Sequence, residues 1–142
     1  MFSPSRDQAR QFFFDTWAKY RRGDALAGLE QTALAVISMH PEYQTLLDNP
    51  ERNLQRDYVP DARDLNPFLH LSLHLAVAEQ LSIDQPPGIA GRYLALLERA
   101  RSEHDALHLV LDCLGQTIWQ AHRSGTALDA QAYLDCLNRT AG

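Results

Sequence analysis

Residues 67–82 read Pro-Phe-Leu-His-Leu-Ser-Leu-His-Leu-Ala-Val-Ala-Glu-Gln-Leu-Ser, and this stretch decides the fold. In a helix of this sequence, apolar side chains would surround nearly the whole circumference, which is typical of the central helix of an all-helical protein. Asn66 and Pro67 provide a capping side chain followed by a proline at the first helical position. The sequence therefore predicts a central helix over about 67–82.

Segments on both sides of this stretch follow the helical period and are bounded by capping residues, glycines or prolines. The predicted helices cover Pro4 to Gly23, residues 24–40, short pieces within 41–65, residues 89–101, residues 103–123 and a short last segment. Ser3 is the predicted cap of the first helix, Ser102 that of the helix over 103–123, and Asp129 that of the last. No strand-like alternation of apolar and polar residues appears. We therefore predict an all-α fold, a compact single-domain helical bundle of about five to seven helices over residues 1–142.

The composition excludes several classes of protein. A hydrophobic fraction of 45% is that of an ordinary globular domain, and a net charge of −5 argues against a nucleic-acid partner. No apolar run approaches the roughly 20 residues that a membrane span needs, and no signal peptide is visible. We expect a cytoplasmic protein without a membrane partner, in which Cys113 and Cys136 are reduced thiols. Its partner is a small molecule or a protein, and its oligomeric state stays open.

Two pairs of histidines have the spacing of one helical turn. His70 and His74 form the first pair, and His104 and His108 form the second. Residues four positions apart lie one above the other on a helix, so each pair presents two imidazoles to one point. Two such pairs on neighbouring helices predict a site for one or two transition-metal ions.

The direction in which the two pairs face and their position along the axis of the predicted bundle support a shared site. His70 and His74 lie on the side of the central helix opposite Ser72 and Glu79, which form its polar side, so the pair should face inward. Both pairs fall in the first two turns of their helices. The intervening helix is joined by short connections, which favour antiparallel neighbours and would bring both pairs to the same end of the bundle.

Three further side chains are candidate ligands. Glu30 lies within the apolar arc of the second predicted helix, and His40 lies near the centre of that arc, about 15 Å further along it. Both cannot reach one compact site: a parallel arrangement with the central helix favours Glu30, and an antiparallel one favours His40. Asp112 could bind the ion or orient the ring of His108.

The donor set indicates the metal but leaves its role open. Imidazole-rich sites suit zinc or iron first and nickel or copper next, rather than magnesium or calcium. An open coordination position would allow chemistry on metal-activated water or dioxygen, whereas four histidines closed around the ion would make the site structural. The main alternative is a metal-free helical interaction or adaptor module. A weaker one is metal-free acid–base catalysis by a histidine with Asp105 or Asp112.

Several blocks of the chain resemble a known family. They are Met-Phe-Ser-Pro-Ser-Arg-Asp (1–7), Phe-Phe-Phe-Asp-Thr-Trp-Ala-Lys-Tyr (12–20), His-Pro-Glu-Tyr (40–43), Asn-Pro-Phe-Leu-His (66–70) and Leu-Ser-Ile-Asp-Gln-Pro-Pro-Gly (81–88). The chain resembles the uncharacterised proteobacterial family catalogued as domain of unknown function 1841. The resemblance implies a bacterial cytoplasmic protein. It assigns no activity, cofactor or catalytic residue, so the functional prediction depends on the histidines.

Overall fold

The computed structural model describes residues 6–50 and 67–141, and the elements in these two ranges are helical. The helices are α1 (Arg6–Arg22), α2 (Leu29–Ser38), a 3₁₀ helix (Pro41–Tyr43), α3 (Gln44–Leu47), α4 (Pro67–Ile83), α5 (Ile89–Arg99), α6 (Glu103–Ser124) and α7 (Ala130–Ala141). The all-α prediction is confirmed. The predicted caps Ser3 and Asn66 lie outside the described residues, as does the whole of 51–66.

The chain divides into two compact units, the first ending at Leu75 and the second beginning at Ala76. The single domain over residues 1–142 stays a prediction. None of the helices in the described ranges is long and apolar enough to cross a membrane.

The first unit is built around aromatic side chains of α1. Phe13 and Trp17, one helical turn apart, are buried together with Ile37 of α2 and Leu71 of α4. The indole Nε1 of Trp17 donates a hydrogen bond of 2.7 Å to Asp48, so its one polar atom is satisfied. This packing fixes α2, which His40 follows, and the first turns of α4, which carry His70 and His74.

The second helix begins later than its sequence predicts. α2 begins at Leu29, five residues after the expected start, because Gly28 adopts a φ of +56° and thus leaves the right-handed helical region. α2 ends at Ser38, two residues before the predicted end. His40 precedes Pro41 and adopts φ −128° and ψ 68°, since proline pushes the residue before it out of the α region.

The second unit contains the end of α4 and the helices α5, α6 and α7. Two predicted caps are confirmed: Ser102 Oγ accepts the backbone N–H of Asp105 at 3.1 Å, and Asp129 Oδ1 accepts that of Ala132 at 3.0 Å. Tyr133 of α7 is fully buried and donates its hydroxyl hydrogen to Gln80 of α4 at 2.8 Å. Burial raises the pKa of the Tyr133 phenol, so the hydroxyl stays a donor.

The two cysteines are joined, contrary to the expectation of reduced thiols. A disulfide links Cys113 of α6 to Cys136 of α7, with their Cα atoms 5.7 Å apart. Cys113 lies opposite the apolar arc that the α6 sequence defines, but α7 covers this second face of α6 and brings Cys136 to it. Because that packing joins segments 23 residues apart, the spacing of the cysteines gave no sign of it.

Candidate metal centre

His70 and His74 form the first part of a histidine cluster on α4. They lie one turn apart, and their ring centroids are separated by 4.8 Å. His74 is only 2% exposed, and His70 is half-buried. The pair thus faces inward, as its position opposite Ser72 and Glu79 predicts, and His70 lies on the more accessible side of the cluster.

His40 completes a group of three imidazoles. Its ring centroid lies 4.8 Å from that of His70 and 4.6 Å from that of His74, and the residue is only 1% exposed. The bend before Pro41 turns the chain at the end of α2 and holds His40 there. Each of the three histidines offers a ring nitrogen within 4.8 Å of those of the other two. Within the described residues, no carboxylate belongs to this group.

A backbone carbonyl determines which nitrogen of His40 is available. Nδ1 of His40 lies 2.8 Å from the carbonyl oxygen of Val36, one turn earlier in α2. Because a carbonyl oxygen only accepts, Nδ1 carries the hydrogen, and Nε2 presents its lone pair to the cluster. Histidines that bind metals usually donate their other N–H group in this way, which fixes the tautomer and the orientation of the ring.

The separation of two nitrogens is close to that in a metal site. Nε2 of His40 and Nε2 of His70 lie 3.1 Å apart. Two nitrogens bound to one tetrahedral zinc ion, each at about 2.0–2.1 Å, are separated by about 3.3 Å. With Nε2 of His40 as the acceptor, Nε2–H of His70 donates the hydrogen bond between the two rings. The arrangement therefore suits either a hydrogen bond between imidazoles or a shared ion after a small adjustment.

Tyr43 borders the cluster, although it was not among the predicted site residues. Its ring stacks on His40 at a centroid distance of 5.4 Å and an angle of 10°, and it lies 6.1 Å from the ring of His70. The 3₁₀ turn brings residues three apart into line, which places Tyr43 beside His40. Burial, followed by the charge of Glu42, raises the pKa of the Tyr43 phenol, so it stays neutral. The sequence signal that could have identified Tyr43 is its position three residues after His40 in His-Pro-Glu-Tyr (40–43).

Glu30 lies outside the cluster and has a different partner. Its carboxylate accepts a hydrogen bond of 2.6 Å from Nζ of Lys19 on α1. This hydrogen bond lowers the pKa of Glu30, with smaller contributions from the backbone N–H of Ala27 and from the charge of Lys19. Of the two candidates in the second predicted helix, the structure brings His40 to His70 and His74, whereas Glu30 lies in the first turn of α2, away from His40.

The second histidine pair forms on α6 as its spacing predicts. The rings of His104 and His108 are 4.2 Å apart, and both residues are half-buried. Asp112, the remaining candidate, is exposed on the same helix. His122, near the end of α6, is also exposed and serves below as a control.

Comparison with known proteins gives a family and no activity. No curated protein and no solved structure matches this chain. One family model, described as "Domain of unknown function (DUF1841)", matches residues 5–139. The match covers nearly the whole sequence, so the chain belongs to the DUF1841 family.

Proposed function

We propose that this protein binds one transition-metal ion through His40, His70 and His74. The observation that supports this most strongly is the convergence of three imidazoles, two of them almost fully buried, from segments 30 residues apart. Buried polar rings need partners, and a shared ion would satisfy three lone pairs at once. The hydrogen bond from His40 to Val36 supports the same assignment, because it leaves Nε2 available as a ligand.

The donor set favours particular metals. A group of imidazoles without a carboxylate, within the described residues, suits zinc or iron first and nickel or copper next. Magnesium and calcium prefer oxygen ligands. Two-metal sites place their ions about 3.5–4 Å apart and bridge them with oxygen ligands, so the compact set of nitrogens supports one ion rather than two.

The fourth coordination position decides the role of the metal. We propose that the second histidine pair, His104 and His108, supplies it, as the helical spacing in the sequence predicts. Four histidines around one ion would give a structural site, and the metal would then contribute to folding. If water replaces the fourth histidine, the metal supplies activated water for hydrolytic chemistry. Glu30 and Asp112 are not part of the proposed ligand set.

Elemental analysis tests this proposal. The protein should be purified without a histidine tag, stripped with a chelator, reconstituted with zinc or iron(II), and passed through a desalting column. We expect about one equivalent of retained metal per chain. The triple variant His40→Ala/His70→Ala/His74→Ala should retain none, whereas His122→Ala should retain the full amount. Retention of no metal by the wild-type protein would contradict the proposal and leave the metal-free interaction module as the better hypothesis.

The proposed setting is the bacterial cytoplasm, with a small molecule or a protein as the partner. The location depends on the sequence resemblance. The net charge of −5 argues against a nucleic acid as the partner. Immunodetection of the native protein after cell fractionation tests the location, because a periplasmic or secreted signal would contradict it.

A further inference from the structure

A solvent-open cavity in the second unit lies against the disulfide. It has a volume of about 600 Å³ and is lined by the second half of α6, the loop after it and α7. This size is within the range of small-molecule sites. Its walls include the side chains of Gln116, Trp119, Gln120 and Arg139, which combine an aromatic surface with amide groups and a cation.

The two sulfurs of the disulfide differ in their access to this cavity. Cys136 lines the cavity, whereas Cys113 is not among its lining residues. Cys136 is 8% exposed and Cys113 is 2% exposed. Sγ of Cys136 lies 4.0 Å from Oε1 of Gln116, a cavity residue, and Sγ of Cys113 lies 3.7 Å from the hydroxyl of Thr140. A small molecule that enters the cavity therefore meets Cys136 first.

The charge in the cavity favours an anionic ligand. Arg139 lies three residues after Cys136 on α7, on the same side of the helix. Among the described residues, Arg139 forms no ion pair. The one acidic side chain in the wall, Asp129, already accepts the N–H group of Ala132 at the start of α7. A guanidinium next to a reactive sulfur would bind a carboxylate carried by an incoming thiol.

We propose that Cys136 is a site of reversible mixed-disulfide formation with a small thiol that carries carboxylates. The thiolate attacks Sγ of Cys136, the bond to Cys113 breaks, and Cys113 leaves as a thiolate that takes up a proton. A second thiolate then attacks the sulfur of the small molecule, which releases Cys136 as a thiol. In sum, two small thiols become one small disulfide, and the protein disulfide becomes two thiols.

The experiment compares two single-cysteine variants of the full chain. Cys113→Ser keeps the sulfur that lines the cavity, and Cys136→Ser keeps the one behind it. Each folded variant is incubated with glutathione disulfide, and intact mass under non-reducing conditions follows the adduct. We expect Cys113→Ser to gain one glutathione at least about tenfold faster than Cys136→Ser. Equal rates, or faster modification of Cys136→Ser, would overturn the proposal.

A second measurement keeps both cysteines, so the proposal can be tested even if a cysteine variant fails to fold. The native disulfide is reduced with glutathione, which carries carboxylates, or with cysteamine, which carries an amine. Arg139→Gln should slow the reaction with glutathione several-fold relative to wild type and leave the reaction with cysteamine unchanged. Reduction that occurs only in denaturant, or an equal effect of Arg139→Gln on both thiols, would contradict the proposal. Neither result depends on the proposed metal site.

Discussion

The Nε2 atoms of His40 and His70 lie 3.1 Å apart, although 30 positions separate the two residues in the chain. His40 is held by the carbonyl of Val36 and by the turn before Pro41, and His70 is held by α4. The two rings also contact each other, at a centroid distance of 4.8 Å. Two ring nitrogens brought to one point by separate segments of the chain are what a metal site requires.

The three clustered histidines should contribute much more to the affinity for zinc than a surface histidine does. Replacing His74 with alanine removes a buried ring from the group, and we expect the affinity for zinc to fall by at least about 100-fold. His122→Ala, on the exposed end of α6, should leave the affinity unchanged. Competition with a chromophoric zinc chelator measures both. Equal affinities for the two variants would remove His74 from the ligand set.

The second histidine pair tests the fourth coordination position. The double variant His104→Ala/His108→Ala should weaken zinc binding by about tenfold or more, because the sequence predicts that this pair supplies a further imidazole. The same chelator competition measures this variant beside His122→Ala, with circular dichroism to check that each remains helical. Equal affinities for the two variants would remove the second pair from the ligand set.

Metal removal should lower the stability of the folded chain. A ligand that binds only the native state stabilises it by about 2.7 kcal/mol when its free concentration is 100 times the Kd. We therefore expect a chelator to lower the Tm of the reconstituted protein by several degrees. The triple histidine variant provides the control, because its Tm should not respond to chelator. An unchanged Tm for the wild-type protein would count against the metal.

Glu30→Gln tests which of the two candidates from the second predicted helix, Glu30 or His40, binds the metal. The substitution breaks the ion pair with Lys19 but should leave the metal content unchanged. The pKa of Glu30 is lowered in the folded state, so its contribution to stability is present above the ordinary carboxyl pKa and is lost as the pH falls through the folded value. Thermal melts should show a small difference from wild type at neutral pH that disappears in acid. A loss of metal would place Glu30 in the site.

Tyr43 should act through its ring rather than through its hydroxyl. The stacked ring covers one side of His40 and limits its movement. Tyr43→Phe should keep the affinity for zinc, and Tyr43→Leu should lower it by several-fold, since a flat ring is lost in the second variant only. Isothermal titration calorimetry distinguishes the two. A loss in Tyr43→Phe alone would instead show a role for the phenol.

The sequence predicted the features that depend on local periodicity. The nearly uniform apolar surface of α4 and the spacing of His70 and His74 are encoded within one helix, as are the caps Ser102 and Asp129. The choice between Glu30 and His40 was left open because the relative direction of two helices is determined by packing and not by either helix alone. His40 also depends on a local effect, the restriction before Pro41, whose consequence was visible only with the neighbouring α4 in place.

The disulfide also depends on packing between helices, which the sequence of a single helix does not reveal. A helical wheel of α6 identifies one apolar arc, and Cys113 lies outside it. α7 covers that second face, which makes Cys113 a buried residue and brings Cys136 into bonding distance. Disulfides are rare in cytosolic proteins, where those that occur are usually transient or redox-sensing. A cytoplasmic location and a reversible bond at Cys136 are therefore consistent proposals.

The most direct test of the metal centre is an anomalous difference map from crystals of the zinc-reconstituted protein. The account predicts one strong peak about 2.0–2.1 Å from Nε2 of His40 and from Nε2 of His70, with a ring nitrogen of His74 at a similar distance. A fully occupied peak elsewhere, or three histidines joined only by hydrogen bonds in the presence of zinc, would contradict it.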